Sequence, residues 1–207
     1  MKNNFYTLLY AAAIGLVCAL VLTAWGQFTK PYAKANEEAE EVRNIMNVLG
    51  LEHEEGLSAQ RLVEVFEQKV QKQEVEDLTL YRLRDAGPEG GPVAVSFQGP
   101  GLWGPVAGFL ALKPDMRTIR AISFYKQEET PGLGGEIATE GFENRFKGRS
   151  IVGPDGKPGM LLVSGRDAEA DNEVDAITGA TMTSSKVQQM LNLTITRIVK
   201  ETQKDVR

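Results

Sequence analysis

The chain holds one cysteine, Cys18, and one histidine, His53. That scarcity excludes an intramolecular disulfide and a zinc site of the paired-cysteine type. It also leaves His53 with no neighbouring His or Cys to share a metal, so His53 reads as an ordinary solvated or packed side chain. Basic stripes with interleaved aromatics are missing as well. Residues 1–30 contain no acid and only Lys2 and Lys30, so the remainder carries 28 acids against 21 bases. A surface of that sign repels nucleic acid, and nucleic-acid binding is excluded. Internal repeats and low-complexity tracts are absent, and 207 residues leave room for one membrane segment and one compact domain.

What is present begins with an uncharged run. Between Lys2 and Lys30 lie 27 residues without a charge, apolar from Leu8 through Leu22. About 20 apolar residues cross a bilayer as a helix. Phe5 and Tyr6 at one end, with Trp25 and Phe28 at the other, suit the two interfacial belts. A cleaved signal peptide is the alternative. Its apolar region is normally about 7–15 residues, shorter than this run, and the small-x-small stretch Ala33-Lys34-Ala35 stands several residues beyond it. A retained single-pass anchor ending at Pro31 is therefore expected. Lys2 and the α-amino group on one side face Lys30, Lys34 and Arg43 on the other, which leaves sidedness open.

Beyond the anchor, Asn36 to Gly50 reads as a helix capped by Asn36, with Val42, Ile45, Met46 and Leu49 on one stripe. A second helix starts at Ser58. From Leu78 the period changes to short runs at Leu80–Leu83, Val93–Phe97, Val106–Leu110 and Ile119–Tyr125. Turn signals divide them at Gly87-Pro88, Gly99-Pro100-Gly101 and Lys113-Pro114-Asp115. Such close spacing argues for antiparallel hairpins. A helix near Glu140–Phe146, a strand at Met160–Ser164 and a last helix from about Ser184 to Glu201 complete an α+β chain: a transmembrane helix, then a mainly antiparallel sheet with flanking helices. The expected divisions are an anchor at 1–30, a helical linker with the domain's first helices at 31–77, and the domain core at 78–207.

The stretch Asp175-Ala176-Ile177-Thr178-Gly179-Ala180-Thr181-Met182-Thr183-Ser184 carries the chemistry. Gly179 and Ala180 let the backbone approach a ligand, and Thr183 or Ser184 can cap the helix whose opening N–H groups attract an anion. These features alone fit both a phosphate site and an ordinary capping turn.

Asp175-x-x-Thr178-Gly179-Ala180-Thr181 resembles the flavinylation motif of the FMN-binding domain family. The resemblance implies FMN joined through its phosphate to Thr181, installed by a dedicated flavin transferase from FAD. Gly101-Leu102-Trp103-Gly104-Pro105 is similar to a loop of the C subunits of Na⁺-translocating NADH:quinone oxidoreductases. Glu129-Thr130-Pro131-Gly132-Leu133-Gly134 resembles a loop they share with the G subunits of Rnf electron-transport complexes.

By that resemblance Leu102 and Trp103 cover a flavin face, and Glu129 and Thr130 bond the ring edge or orient backbone. Gly132 and Leu133 belong to the same cofactor-contacting loop. Gln127-Glu128 replace a His-Gly pair common in the family, and an added acid near the flavin shifts its potential. The implied function is a membrane-anchored electron carrier on the periplasmic side of a bacterial inner membrane, working with integral subunits of a Na⁺-pumping NADH:quinone oxidoreductase. The Rnf complex, or a scaffold with a silent site, is the alternative. The soluble part is read as lacking a dinucleotide fingerprint, so NADH oxidation falls to partner subunits. No catalytic residue or metal ligand is assigned.

Overall fold

The computed structural model describes residues 2–52, 56–87 and 90–205; His53 and Pro88 lie outside them. The chain opens with one helix, α1 (Lys2–Leu49), which passes through Pro31 unbroken. The expected stop at Pro31 and restart at Asn36 are thus corrected. Proline inside a helix removes one hydrogen bond and costs about 3 kcal/mol. Here the following Tyr32–Glu41 segment is rich in Ala, Glu and Lys, strong helix formers, and Lys34 pairs with Glu38 one turn on at 3.7 Å. Residues 5–38 are exposed apart from half-buried Thr29, whereas Ala39, Ile45, Met46, Val48 and Leu49 are buried. One helix therefore serves two environments. From Phe5 on it is long and apolar enough to cross a membrane, with a mean hydropathy of 2.3 in its most apolar window.

Helix α2 (Ala59–Lys69) starts one residue after the expected Ser58, which caps it: the Ser58 Oγ accepts the Arg61 N–H at 3.3 Å. Five strands follow: β1 (Val70–Val75), β2 (Leu78–Leu83), β3 (Val93–Pro100), β4 (Pro105–Leu112) and β5 (Ile119–Lys126). They form an antiparallel meander in sequence order. The four expected strands are all present, and β1 adds a fifth ahead of the expected start at Leu78. Its sequence, Val-Gln-Lys-Gln-Glu-Val, is polar because β1 is an edge strand that buries only Val70.

Strand β4, between β3 and β5, is buried at every position after Pro105, because both faces of the sheet are covered. Leu110 and Leu112 pack toward the C-terminal helix α4 (Thr181–Asp205), with Val187, Leu191 and Ile195. Phe109 and Ala111 point to the other face, against Ile45, Val48 and Leu49 of α1. There Phe109 meets Tyr81 edge-on at 5.7 Å and stacks on Tyr125 at 5.1 Å.

Strand β5 and the second half of α1 run in opposite directions, and three contacts fix the register. Arg120 donates to the Val48 carbonyl at 2.5 Å. Ser123 donates to Asn44 at 2.7 Å. Lys126 reaches Glu37 at 3.2 Å.

After β5 come a 3-10 turn (Gly134–Ala138), a short helix α3 (Glu140–Glu143) and a second 3-10 turn (Asn144–Phe146). Strand β6 (Leu161–Val163) pairs with β7 (Glu173–Asp175) in parallel, a small exception to the antiparallel expectation. Polar side chains tie this piece to α4: the Met160 N–H donates to Asn192 and the Leu162 N–H to Gln188, each at 2.7 Å.

Candidate cofactor site

The site forms where the last helix begins. Gly179 sits at φ +79°, a left-handed conformation that suits glycine. The Ala180 N–H donates back to the Ile177 carbonyl at 3.1 Å, closing a turn, and the Ser184 N–H donates to the Ala180 carbonyl at 2.9 Å, opening the helix. Helix α4 thus starts at Thr181, three residues before the expected Ser184. Neither Thr183 nor Ser184 is its N-cap. Ser184 Oγ accepts the Ile177 N–H at 3.2 Å, and Thr183 Oγ1 donates to Glu129 Oε2 at 2.6 Å. Both hydroxyls are buried and committed to the fold, whereas Thr178 and Thr181 are exposed. Of the hydroxyls in the helix's first turn, Thr181 alone is exposed. It stands among opening N–H groups that lack a carbonyl one turn earlier.

Glu129 joins the three motifs. Its carboxylate is buried, 5% exposed. Oε1 accepts the N–H groups of Leu102 at 2.7 Å and Trp103 at 3.1 Å, while Oε2 takes the Thr183 hydroxyl. Of the two roles open to Glu129 in the sequence, these bonds supply the second, orienting backbone. Space around it is fully used. A Cβ on Gly134 would fall 2.6 Å from Thr183 Oγ1 and 2.7 Å from Glu129 Oε2, so nothing larger than glycine fits there. Gln127 supports the arrangement by accepting the Glu129 N–H at 2.6 Å, and Glu128 lies against Gly104.

Above this buried carboxylate the apolar side chains stand outward. Trp103 is 70% exposed and Met182 59%. Leu102 and Leu133 are exposed as well, and Leu133 reaches the Gly179 turn, its Cδ2 3.3 Å from where a Cβ on that glycine would lie. The Thr130 carbonyl accepts from the Leu133 and Gly135 N–H groups at 3.1 and 2.9 Å, with Gly132 at φ +75° between them. The Thr130 side chain itself is exposed. A cleft of about 580 Å³ runs along Gln98–Pro105, within the usual range for small-ligand sites. A somewhat larger cavity of about 620 Å³, between α1, β5 and α3, lies away from these loops.

Asp175 ends β7 and accepts the Ala168 N–H at 2.7 Å. Arg145, which carries no signal in the sequence, donates to the Asp175 carbonyl at 2.9 Å and the Ala176 carbonyl at 3.3 Å, and lies 5.4 Å over the Phe142 ring. Nothing in a local pattern announces a contact across 30 residues. Upstream, Arg166 grips Glu173 with both carboxylate oxygens bonded, at 2.7 and 2.5 Å. That pairing holds the Glu173 carboxyl down at about 2. Gly99, Gly101 and Gly104 have the spacing of a dinucleotide fingerprint after all, but they lie at an antiparallel hairpin between β3 and β4, with no helix to receive a pyrophosphate.

Residues 101–196, which hold all three motifs, match the FMN-binding domain family. This part of the chain resembles an FMN-binding domain. The domain is similar to that of the Na⁺-translocating NADH-quinone reductase C subunit of Pasteurella multocida, 40% identical over 95 residues, which are 46% of this chain and 36% of that protein. The corresponding C subunit of Haemophilus ducreyi aligns over 87% of this chain and 85% of its own length at 25% identity. Two crystal structures share the fold. NqrC of Shewanella oneidensis superposes with TM-score 0.64 at 22% identity, covering 76% of this chain and 91% of that one. The Na⁺-translocating NADH-quinone reductase C subunit of Parabacteroides distasonis gives 0.63 at 24%, covering 79% and 91%.

The domain's residues fit FMN. An exposed hydroxyl stands at a helix start, next to a flat-sided apolar rim on loops whose backbone a buried carboxylate fixes.

Proposed function

We propose that Thr181 carries FMN through a phosphoester, and that the chain is the membrane-anchored, FMN-bearing electron-transfer subunit of a Na⁺-translocating NADH:quinone oxidoreductase. The observation carrying the attachment point is the division of hydroxyls in α4's first turn: Thr183 and Ser184 are buried and bonded, Thr181 exposed. In maturation a flavin transferase moves the FMN group of FAD onto Thr181 Oγ1, with AMP leaving and the hydroxyl proton lost. FMN supplies reversible one-electron chemistry when bound. The protein's part is to hold it. Helix N–H groups and Arg145, bonded beneath the motif, favour the phosphate; Leu102, Trp103, Leu133 and Met182 shield the ring. Asp175, Thr178, Gly179 and Ala180 shape the turn, and Gly132 and Thr130 shape the facing loop. The division into anchor, linker and domain core belongs to the same reading. So does the placement of the domain on the periplasmic side, with integral subunits as electron partners.

The relatives that are C subunits of that reductase support the assignment to that complex. The test is expression of the full chain beside a flavin transferase, followed by peptide mass spectrometry. The peptide containing Thr181 should gain the mass of FMN less water, and the denatured band should fluoresce under ultraviolet light. Thr181→Ala should abolish both. An unmodified wild-type peptide, or a flavin on Thr178, overturns the attachment. Purified complex that oxidises ferredoxin in preference to NADH overturns the choice of complex.

A further inference from the structure

Strand β5 is an edge of the five-stranded sheet, and its outer side is only partly satisfied. At its start the Ile119 N–H donates to the Arg149 carbonyl and the Ile119 carbonyl accepts the Gly148 N–H, each at 2.8 Å. Near its end the Phe124 N–H donates to Glu143 Oε1 at 2.8 Å. Between these points no hydrogen bond from another segment reaches that side, among the described residues. An unpaired strand edge is a template for another extended chain. Beside it lies the cavity of about 620 Å³, walled by α1 on one side and by α3 with the turn after it on the other. Its volume is within the usual range for small-ligand sites.

Charge is sorted along this groove. At the Ile119 end stand Lys113, Arg120 and Lys147: the Lys113 N–H donates to the Thr118 carbonyl at 2.8 Å, and Lys147 precedes the glycine that bonds Ile119. Arg120 is engaged by the Val48 carbonyl, whereas Lys147 forms no ion pair among the described residues. At the Phe124 end stand Glu143 and, one turn earlier, Glu140, which accepts from Asn144 at 3.4 Å. Burial raises the Glu143 carboxyl above its ordinary value and Glu140 adds to the effect, so a cation beside the pair would relieve both. From Arg120 to Phe124 the strand rises about 14 Å. An extended chain of three residues reaches about 10 Å, which leaves a contact's length at each end. A free amino acid carries both backbone charges on one carbon and cannot engage the two ends. A dicarboxylate would set one anion against Glu140 and Glu143, and a diamine would set one cation against the lysines.

We propose that this groove binds a short peptide with free termini, about three residues long, with its carboxylate among Lys113, Arg120 and Lys147 and its ammonium beside Glu140 and Glu143. The bound chain runs antiparallel to β5, and its backbone takes up the open edge groups between Ile119 and Phe124. The amides of Asn47 and Asn144 flank its path on the two walls. The site needs neither flavin nor a partner subunit and stands whether or not the cofactor assignment holds.

The test uses the full chain in detergent micelles, with trialanine as the probe and backbone amide chemical shifts as the readout. Saturable shifts should appear at residues 121–123 and 147–148 and not at residues 179–181. N-acetyl-trialanine and trialanine amide, each lacking one terminal charge, should bind about tenfold more weakly. Lys147→Gln should weaken trialanine and shrink the advantage of the free carboxylate alone; Glu140→Gln should shrink that of the free ammonium alone. Both side chains are exposed, so the variants should keep the wild-type spectrum away from the groove. No shift up to roughly 10 mM trialanine, shifts indifferent to both caps, or variants that fail to separate the two ends overturn the peptide site. A stronger response to succinate or to putrescine than to trialanine overturns it as well.

Discussion

The two sheets of this domain are held together in different ways. The five-stranded meander is clamped between α1 and α4, and its strand β4 is buried on both faces. The two-stranded sheet of β6 and β7 is three residues deep; it puts only Val174 fully into the core and is positioned by polar contacts: Asn192 and Gln188 on its backbone, Arg166 on Glu173. Non-directional burial secures the first, and directional bonds place the second. The difference matters because the Asp175–Thr181 stretch leaves from the end of β7. The scaffold can be robust while the segment presenting the cofactor depends on a few specific partners.

Changes on either side should separate these two kinds of support. Phe109→Ala, in the fully buried meander, should cost about 3–5 kcal/mol of global stability, since it removes a core ring and leaves a cavity. Urea unfolding followed by circular dichroism measures it, and a loss under about 1 kcal/mol would mean that the sheet is not the foundation described. Glu129→Gln should cost less, about 1–3 kcal/mol, because a buried carboxylate with three donors becomes an amide that cannot serve them all. Its signature is local. The emission of Trp103, isolated by Trp25→Phe, should change well before the unfolding midpoint, and an unaltered loop would remove Glu129 from its central place.

The smallest effect belongs to Glu173→Gln and depends on pH. With its carboxyl lowered from 4.5 to about 2 in the folded chain, Glu173 gives its full contribution above pH 4.5 and loses it as the pH falls toward 2. Amide exchange at Glu169 and Ala170, whose N–H groups it accepts at 3.0 and 3.3 Å, should quicken across that window in the wild type. In the variant exchange should be fast throughout; a wild-type profile flat across the window would contradict the pairing.

Much of this architecture was legible in the sequence because it rests on periodicity. The uncharged run, the alternation from Leu80 to Tyr125 and the stripe of Val187, Leu191 and Ile195 each announce an element. What escaped lacks a local pattern. Strand β1 is a polar edge that follows α2 without a break, so Val70 reads as one more helical residue. Strand β7 is too short for alternation. Pro31 carries a stop signal that the flanking helix formers override. At the site, the order of the three motifs was readable, whereas their meeting on Glu129 and the reach of Arg145 to Asp175 are contacts across 26 to 54 residues that only the fold makes.

The unbroken passage of α1 through residue 31 has a mechanical consequence. A stiff shaft transmits angle as well as distance, and each residue of an α-helix turns it by about 100° and lengthens it by about 1.5 Å. One alanine inserted in the bare stretch between Tyr32 and Asn36 would swing the whole cofactor face about a quarter-turn around the shaft. Four would bring its heading back to within about 40° and leave it about 6 Å higher. The length of that bare stretch therefore sets the aim of the domain, in a segment where no side chain touches the cofactor.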